Sequence, residues 1–208
     1  MSEGPQVDSR HYNFNSYSFE DRFVSYYWQL KTVIGTKPSA VLEVGVGDKV
    51  FGSFITNNTA INYTSIDIAE DLNPDVLGSV TSIPLESNSY DVVCAFEVLE
   101  HLPYDQFELA IAEMVRVARK NVVISLPHFG PNVSFSLKFP LFPLLRFSHK
   151  LSIPKEHVWN GQHYWELGKK GFPVKRVRNA MEKYGKIKTD FVPFNSQYHH
   201  FFVLEVAS

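Results

Sequence analysis

The sequence predicts an α/β protein built on a doubly wound, mostly parallel sheet. Ala40–Gly45 is an apolar run broken by one acid, which is typical of a central strand buried on both faces. It leads directly into the turn Gly45-Val46-Gly47, and Lys49–Ile55 then has the pattern of a short helix. Downstream, apolar runs continue to alternate with helical segments, which favours a parallel sheet with helices on its faces.

An acidic residue follows the second predicted strand, Ile61–Ile66. This residue, Asp67, lies 22 positions after Gly45. An acid about 20 residues beyond a glycine turn is placed to bind both hydroxyls of a ribose. The free N–H groups of the short helix point back at the same turn. The stretch therefore predicts a site for an adenosine-bearing cofactor.

The glycine turn itself narrows the choice of cofactor. The third position of the nicotinamide pattern G-x-G-x-x-G is Val50 here, so that pattern fails. Glu43 instead gives E-x-G-x-G after a V-L strand, which resembles motif I of the class I S-adenosylmethionine-dependent methyltransferases. The resemblance implies that Glu43, Gly45 and Gly47 support the methionine part of the cofactor and that Asp67 holds its ribose. Lys49 stands where the family often has a third glycine.

A second stretch carries the same resemblance. Leu85–Leu102 reads LESNSYDVVCAFEVLEHL and looks like the family's stretch ending in VLEHL, in members of the methyltransferase type 11 kind. Tyr90–Phe96 is predicted to be the fourth strand, with Glu97 at its carboxyl end, the edge where open α/β sheets bind ligands. A short third strand is predicted over Asp75–Val80. The resemblance implies that an acid or amide in the loop after strand three contacts the adenine amine; Ser79 takes that position here, and Ser79 and Val80 are the cofactor-binding candidates. The resemblance covers Val41 to Pro127 and implies a Rossmann-like methyltransferase fold that uses S-adenosyl-L-methionine.

The remaining elements complete the predicted architecture. Asp105–Arg119 and Pro173–Tyr184 have helical periodicity, and Asn121–Leu126 is predicted to be strand five. A closing antiparallel pair corresponds to the family's sixth and seventh strands, which gives a seven-stranded sheet. The segments of this pair are Lys186–Pro193 and His200–Val206.

The chain is predicted to be a single methyltransferase domain over residues 1–208, with a core over 39–127. Residues 1–38 form a helical cover, with a helix from Phe19 to Ile34 and Ser18 as its N-cap. The helix either covers one edge of the sheet or forms a flap over the ligands. Residues 162–208 hold the last helix and the antiparallel pair.

Residues 128–161 are an insertion after strand five. Five phenylalanines alternate with basic residues there, and four prolines exclude a long helix. So long a connection is usually functional or mobile, and it follows the ligand edge of the sheet. We interpret it as a lid over the substrate; the alternative is an aromatic cluster packed against the main core.

Composition limits the choice of partners and setting. A net charge of −2 provides no global attraction for nucleic acid or an anionic membrane, so a nucleic acid partner is not expected. The N-terminus lacks signal-peptide features, and no apolar stretch reaches the length of a membrane span. The single cysteine, Cys94, is predicted to be a small buried hydrophobe in a reducing, cytoplasmic protein. Oligomeric state is left open.

A base would assist methyl transfer to a hydroxyl, and histidine suits this role near neutral pH. His101 and His128 follow strands four and five and are the predicted catalytic residues. If either acts as the base, activity should rise with pH near about 6.5. His149, His199 and His200 are predicted to lie on the surface or in loops.

The order Glu97-x-x-Glu100-His101 also permits a divalent metal site, because positions three and four apart share a helical face. It resembles the E-x-x-E-H ligands of the metal-dependent enzymes that 2′-O-methylate RNA 3′ ends, with His163 as a loose match to their further histidine. We predict no metal. The leading function is methyl transfer to a small, sugar- or lipid-linked acceptor, most simply a hydroxyl. The alternatives are the metal-dependent RNA-end enzyme and a cofactor-binding module without catalysis.

Overall fold

The computed structural model describes residues 9–206. Helices and strands are interspersed up to the fifth strand. After the fifth strand there are four more strands and one helix in the described residues. In chain order the elements are α1 (Phe14–Tyr17), α2 (Glu20–Gly35), β1 (Ala40–Val44), α3 (Val50–Asn58), β2 (Asn62–Asp67), β3 (Val76–Leu77), β4 (Tyr90–Phe96), α4 (Phe107–Val117), β5 (Ala118–Pro127), β6 (Asn132–Leu137), β7 (Leu145–Lys150), α5 (Val174–Met181), β8 (Gly185–Phe191) and β9 (His199–Val206).

The main sheet has seven strands in the order β3-β2-β1-β4-β5-β9-β8. The first five strands are parallel, and β9 is antiparallel to both β5 and β8. The predicted doubly wound, seven-stranded, mostly parallel sheet is confirmed. Because strand order reverses between β1 and β4, their carboxyl ends flank a crevice of the kind that binds ligands.

Side chains on the two faces of the central strands belong to two different cores. Leu42 and Val93 pack with α4 and α5, whereas Val41 and Cys94 pack with α2 and α3. Burial on both faces explains why these strands are continuous apolar runs. Cys94 is fully buried and burial raises the pKa of its thiol, so its predicted role as a buried hydrophobe is confirmed.

Several element boundaries differ from the predictions, including those of α3, β5, α5 and β8, and three differences have an evident physical cause. The third strand is only Val76–Leu77, because the Asp75 carboxylate instead accepts hydrogen bonds from the backbone and hydroxyl of Ser65. Helix α4 ends at Val117, since Ala118 already pairs with Tyr90 in the sheet. The first long helix is capped by Phe19 without a side-chain hydrogen bond, so the predicted capping by Ser18 is wrong.

The insertion after β5 contains a two-stranded antiparallel hairpin, β6–β7, separate from the main sheet. Helix is absent from residues 128–161, as the prolines predict. The phenylalanines of the hairpin are about half exposed, with Phe135 at 59% and Phe147 at 49%. The alternative of an aromatic cluster packed against the main core is therefore wrong.

Among the helices of residues 9–206, none has the length and apolar character that a membrane span requires.

Candidate cofactor and acceptor site

The glycine turn after β1 is tight because a residue that follows β4 packs directly on it. Gly45 has φ +81° and Gly47 has φ +48°, and a Cβ added to Gly45 would overlap Cγ2 of Val98. The Gly45 N–H donates to the Ile66 carbonyl at 2.8 Å, which ties the turn to the end of β2. Both the backbone conformation and the close approach therefore require glycine at this point.

Lys49 occupies the position where the resemblance predicted a third glycine. Its φ is +64°, so this residue keeps the left-handed conformation that glycine would adopt, at the start of α3. Its ammonium donates to the Asn73 carbonyl at 3.2 Å. The backbone path of the turn is thus retained without the third glycine, and a lysine is held beside the turn.

Asp67 lies at the end of β2 and faces the glycine turn. Its Oδ2 accepts a hydrogen bond from the Val46 N–H at 2.9 Å, and its Oδ1 accepts one from the Ala69 N–H at 2.8 Å. Two carboxylate oxygens offer about four acceptor positions, so this pair of bonds leaves capacity for ribose hydroxyls. The bonds also fix the orientation of the carboxylate.

Glu43 lies beneath the turn, in the sheet. It is 4% exposed and accepts a hydrogen bond from the Tyr63 hydroxyl, whose ring fills the space left by the missing side chain of Gly52. Burial raises the pKa of Glu43 to about 8, although the bond from Tyr63 opposes the shift. Glu43 is thus a buried carboxyl that links β1 to β2 through Tyr63, and its role towards the cofactor stays a prediction.

The N-terminal segment contacts the glycine turn from above. A Cβ added to Gly47 would lie 3.7 Å from the Tyr12 ring, and Tyr12 packs with Val46. Burial raises the pKa of Tyr12, and Asp67 and Asp48 contribute through their charge. Asp48 also accepts a hydrogen bond from the hydroxyl of Tyr26 in α2. Residues before and within α2 therefore border the predicted cofactor site.

The two candidates after β3 differ in what their side chains do. Val80 is 6% exposed and packs in the main core, so only its backbone can face a ligand. The Ser79 hydroxyl hydrogen-bonds with that of Thr81 at 2.8 Å and accepts from the Thr81 N–H at 3.2 Å. Ser79 thus organises the loop where the family places an acid or amide.

Two carboxyl groups lie at the carboxyl end of β4. Glu97 has φ +56°, and its Oε1 accepts a hydrogen bond from the Ser125 hydroxyl at 2.8 Å. Glu100 is fully buried, and neither of its carboxyl oxygens has a hydrogen bond to another described residue. Burial raises the pKa of both groups, and the charge of Glu97 adds to the shift at Glu100. Arg22 of α2 opposes the shift in both.

His101 and His163 meet beside Glu100. Their rings are in edge contact with centroids 5.0 Å apart, and His101 Nδ1 lies 3.2 Å from the Gln162 carbonyl. Burial and the neighbouring His163 lower the pKa of His101 to about 4. His163 Nδ1 lies 3.1 Å from the Glu166 carboxylate, whose pKa is lowered by this hydrogen bond. One donor atom from each of Glu100, His101 and His163 lies within 4.8 Å of the others.

His128 belongs to a different cluster. Its Nδ1 lies 3.1 Å from Nδ1 of His200, and the two rings stack with centroids 5.1 Å apart. Burial and His200 lower the pKa of His128 to about 3. His199 and His200 are 3% and 6% exposed, so their predicted surface position is wrong. They lie on β9 beside the buried end of β5, and only His149 of these three is exposed as predicted.

The structure therefore brings together most of the predicted site residues at the carboxyl edge of the sheet. Gly45 and Gly47 form the turn, and Asp67 is hydrogen-bonded to it through the Val46 N–H. His101 lies beside Glu100, after β4. Sequence reasoning missed three contributors near this edge. These are Tyr12, Arg22 and Glu166.

Comparisons with known proteins agree with the fold. Residues 42–126 match the family model described as methyltransferase domain. No curated protein matches the sequence. Among solved structures, the PH0226 protein from Pyrococcus horikoshii OT3 is similar, with a TM-score of 0.62 and 14% identity over 95% of this chain and 96% of that one.

Two further structures illustrate the range of acceptors in proteins with this fold. The N-methyltransferase NodS from Bradyrhizobium japonicum WM9, in complex with S-adenosyl-L-homocysteine, has a TM-score of 0.60 and 10% identity, covering 91% of this chain and 89% of that one. The small RNA methyltransferase HEN1 has a TM-score of 0.62 and 12% identity, covering 91% of this chain and 26% of that one. Identities this low show a shared fold and leave the acceptor open.

Proposed function

We propose that this chain is a class I S-adenosylmethionine-dependent methyltransferase that methylates a small, sugar- or lipid-linked acceptor at a hydroxyl. Its matched segment and its fold support the proposal. The observation that carries the proposal is the bond from the Val46 N–H to Asp67. It holds the ribose-binding acid against a glycine turn at the switch point of the sheet.

The residues present suit this cofactor. The missing Cβ atoms of Gly45 and Gly47 let Val98 and Tyr12 pack directly on the turn, and Asp67 is held beside it with acceptor capacity for two ribose hydroxyls. The backbone of Ser79 and Val80 would border the adenine, and Glu97 would face the rest of the crevice. When bound, S-adenosyl-L-methionine supplies a methyl carbon that its sulfonium makes electrophilic.

His101 is the proposed base. The contact with the Gln162 carbonyl favours a proton on Nδ1, so the lone pair of the neutral ring lies on Nε2 and can accept the proton of an acceptor hydroxyl. Because the pKa of His101 is about 4, the imidazole is neutral at physiological pH. His128 is also neutral, but its ring is stacked on His200. We therefore assign His128 a supporting role beneath the insertion.

The N-terminal cover and the insertion are proposed to enclose the reaction. Contacts of Tyr12 with the glycine turn support a flap over the cofactor, and the insertion begins directly after β5, at the ligand edge. Closing such a site would exclude water from the acceptor and hold it in line with the methyl group, and proximity can supply about 7–11 kcal/mol of the barrier.

Methyl transfer from radiolabelled S-adenosyl-L-methionine tests the proposal. Lipid-linked sugars, free sugars and a small RNA serve as acceptors, with and without a chelator. We expect label in a hydroxyl acceptor without added metal, and a loss of turnover with retained cofactor binding in His101→Gln. Binding of the cofactor with no transfer to any acceptor would indicate the non-catalytic module instead.

A second candidate, a metal-dependent 2′-O-methyltransferase of RNA 3′ ends, is favoured by the group Glu100, His101 and His163. The donor set suits Mn²⁺ or Zn²⁺, and Glu100 is a buried carboxyl whose oxygens have no other described residue as a partner. These three residues would hold the ion, with Glu97 nearby, and the ion would polarise the acceptor hydroxyls as a Lewis acid. The net charge of −2 argues against RNA.

Elemental analysis separates the two candidates. The protein is purified without chelators and without a metal-affinity tag, and its divalent metal content is compared with that of Glu100→Gln. A stoichiometric ion that disappears in the variant, together with methylation of RNA that a chelator abolishes, would establish the second candidate. Our first proposal expects neither.

A further inference from the structure

We propose that the β6–β7 hairpin docks this enzyme on an anionic lipid bilayer. Docking would favour a lipid-linked acceptor, and this consequence rests on the proposed function. The docking itself is independent of catalysis. It follows from the distribution of apolar and basic side chains on the hairpin, from a strained residue at its tip and from its attachment to the ligand edge.

The hairpin has one apolar and one polar face. Cross-strand partners point to the same side, so Phe135 and Phe147 share a face with the pair Leu137 and Leu145. The opposite face carries only serine, asparagine and basic side chains, including Arg146. Every apolar member of the first face is 44–59% exposed. Such a continuous apolar surface on an isolated chain marks a site of interaction.

The orientation of the hairpin is the reverse of what burial would favour. Its polar face supplies contacts to the rest of the protein: Arg146 lies 5.3 Å from the ring centroid of Phe194, and the Lys150 ammonium donates to the Gln197 carbonyl at 2.7 Å. The apolar face is left to solvent. Folding does not gain the free energy of burying this apolar face. Contact with an apolar partner outside the chain would gain it.

The tip extends the apolar surface. Between the strands lie Phe139, Leu141 and Phe142, which are 49%, 104% and 67% exposed. Leu141 has φ +67°, a conformation that glycine or asparagine would adopt with less strain. A leucine held there at full exposure costs free energy that a polar residue would avoid, so the tip is organised around presenting an aliphatic side chain.

Charge identifies the partner. Residues 128–161 contain four lysines and arginines and one acidic residue, Glu156, which pairs with Lys170, although the whole chain has a net charge of −2. The basic side chains are Lys138, Arg146, Lys150 and Lys155. Arg146 and Lys150 contact the body of the protein from the polar face, so Lys138 and Lys155, both exposed, are the ones that can meet lipid headgroups. Lys150 also lines a cavity of about 500 Å³ at the foot of the hairpin, together with Lys169 and Lys170. Basic residues beside inserted aromatic and aliphatic side chains are the combination that binds anionic lipid headgroups and the acyl boundary.

Other partners fit less well. A second copy of the chain, paired by two-fold symmetry on this face, would present the same hairpin again and so would supply no anionic partner for Lys138 and Lys155. Single-stranded RNA would stack on the phenylalanines, but Leu137, Leu141 and Leu145 offer it neither hydrogen bonds nor stacking. A bilayer accommodates both the aliphatic tip and the basic flanks.

The position of the hairpin gives the docking a consequence. Strand β5 ends at Pro127 at the ligand edge, and the loop that contacts the hairpin, residues 192–198, connects β8 to β9 at the same edge. Docking would thus bring the methyl-transfer site towards the lipid surface. An acceptor anchored in the bilayer would then reach the site without leaving the membrane.

Sedimentation with vesicles tests the inference on the full chain. Vesicles of phosphatidylcholine are compared with vesicles of phosphatidylcholine and phosphatidylserine, at low and high salt. We expect binding to the anionic vesicles that weakens with salt. Leu141→Asp should reduce it at least about tenfold, and Lys138→Gln and Lys155→Gln about fivefold each. Leu109→Asp is the matched control, since Leu109 is 52% exposed on the first turn of α4, and should bind as the wild type does.

Several results would overturn the inference. They are the absence of vesicle binding, unchanged binding in Leu141→Asp, tighter binding to single-stranded RNA than to vesicles, or a dimer in solution that Leu141→Asp dissociates. Titration with S-adenosyl-L-homocysteine verifies that each variant is folded. Because vesicle binding requires no turnover, a protein that docks without methylating would retain this inference and lose the proposed function, and the reverse result would do the opposite.

Discussion

Val98 packs on Gly45 so closely that the space for a Cβ does not exist. The contact joins the end of β4 to the glycine turn of β1, and it couples the two stretches that carry the methyltransferase resemblance.

Gly45→Ala should therefore damage both the fold and the cofactor site. The substitution meets Val98 and forces alanine to adopt φ +81°, so we expect a loss of stability of about 1–3 kcal/mol and cofactor binding at least about tenfold weaker. Urea unfolding and titration calorimetry measure these effects. Gly35→Ala, with no atom within 4 Å of the added Cβ, is the matched control and should be neutral or slightly stabilising. Equal effects at the two glycines would contradict the account.

Tyr12→Ala tests the N-terminal flap. The ring packs over Gly47 and Val46, so its removal should weaken cofactor binding by about tenfold through lost apolar contact, while the unfolding midpoint changes little. Tyr27→Ala is the control, because Tyr27 is 56% exposed on α2. If both variants bind the cofactor like the wild type, the segment covers the sheet edge and is not a flap.

Glu43→Gln should change the pH dependence of stability. The carboxyl has a pKa of about 8 in the folded protein, whereas its ordinary value is 4.5. The folded state therefore keeps a proton that the unfolded state releases, and stability falls as pH rises from 4.5 towards 8. Glutamine resembles the protonated form, so the cofactor-free variant should be more stable than the wild type at about pH 8, by on the order of 2 kcal/mol, and similar at about pH 4. Denaturant unfolding at these two pH values measures the difference, and Glu86→Gln, at an exposed position, is the control. If the variant is more stable than the wild type by a margin that grows towards low pH, the raised pKa of Glu43 is refuted.

The pH–rate profile should be flat where the sequence predicted a rise. Burial and His163 lower the pKa of His101 to about 4, so the imidazole is already mostly neutral at about pH 5 and above. Between about pH 6 and 8 the turnover of a metal-free enzyme should not change through titration of this residue. A rise with a midpoint near about 6.5 would show that the base is another group or that His101 is hydrated in the complex.

Local sequence predicted the backbone around the glycine turn well. The strand, glycine turn, helix and Asp67 lie within one short segment, so each position follows from backbone geometry. Lys49 shows the limit of such patterns, because the left-handed backbone is retained although the expected glycine is absent.

The rest of the site depends on distant contacts. His163 reaches Glu100 because the Tyr164 N–H donates to the Glu100 carbonyl at 2.9 Å and the Trp165 indole donates to the Leu102 carbonyl at 3.1 Å. These bonds join segments that are far apart in the chain, and nothing in either segment alone predicts them. The hairpin escaped prediction for a related reason: its register depends on pairs such as Phe135 with Phe147, whereas its prolines suggested only the absence of helix.

The central claim is that the turn between β1 and α3 and the acid after β2 bind S-adenosyl-L-methionine. Titration calorimetry of this compound into the wild type and Asp67→Asn tests the claim most directly. Asparagine can still accept from the Val46 N–H but loses the charge that strengthens bonds to ribose, so we predict binding that is weaker by about 1.5–3 kcal/mol, roughly 10- to 150-fold, with exposed Glu86→Gln unaffected. Failure of the wild type to bind, or equal affinity in Asp67→Asn, would contradict the account.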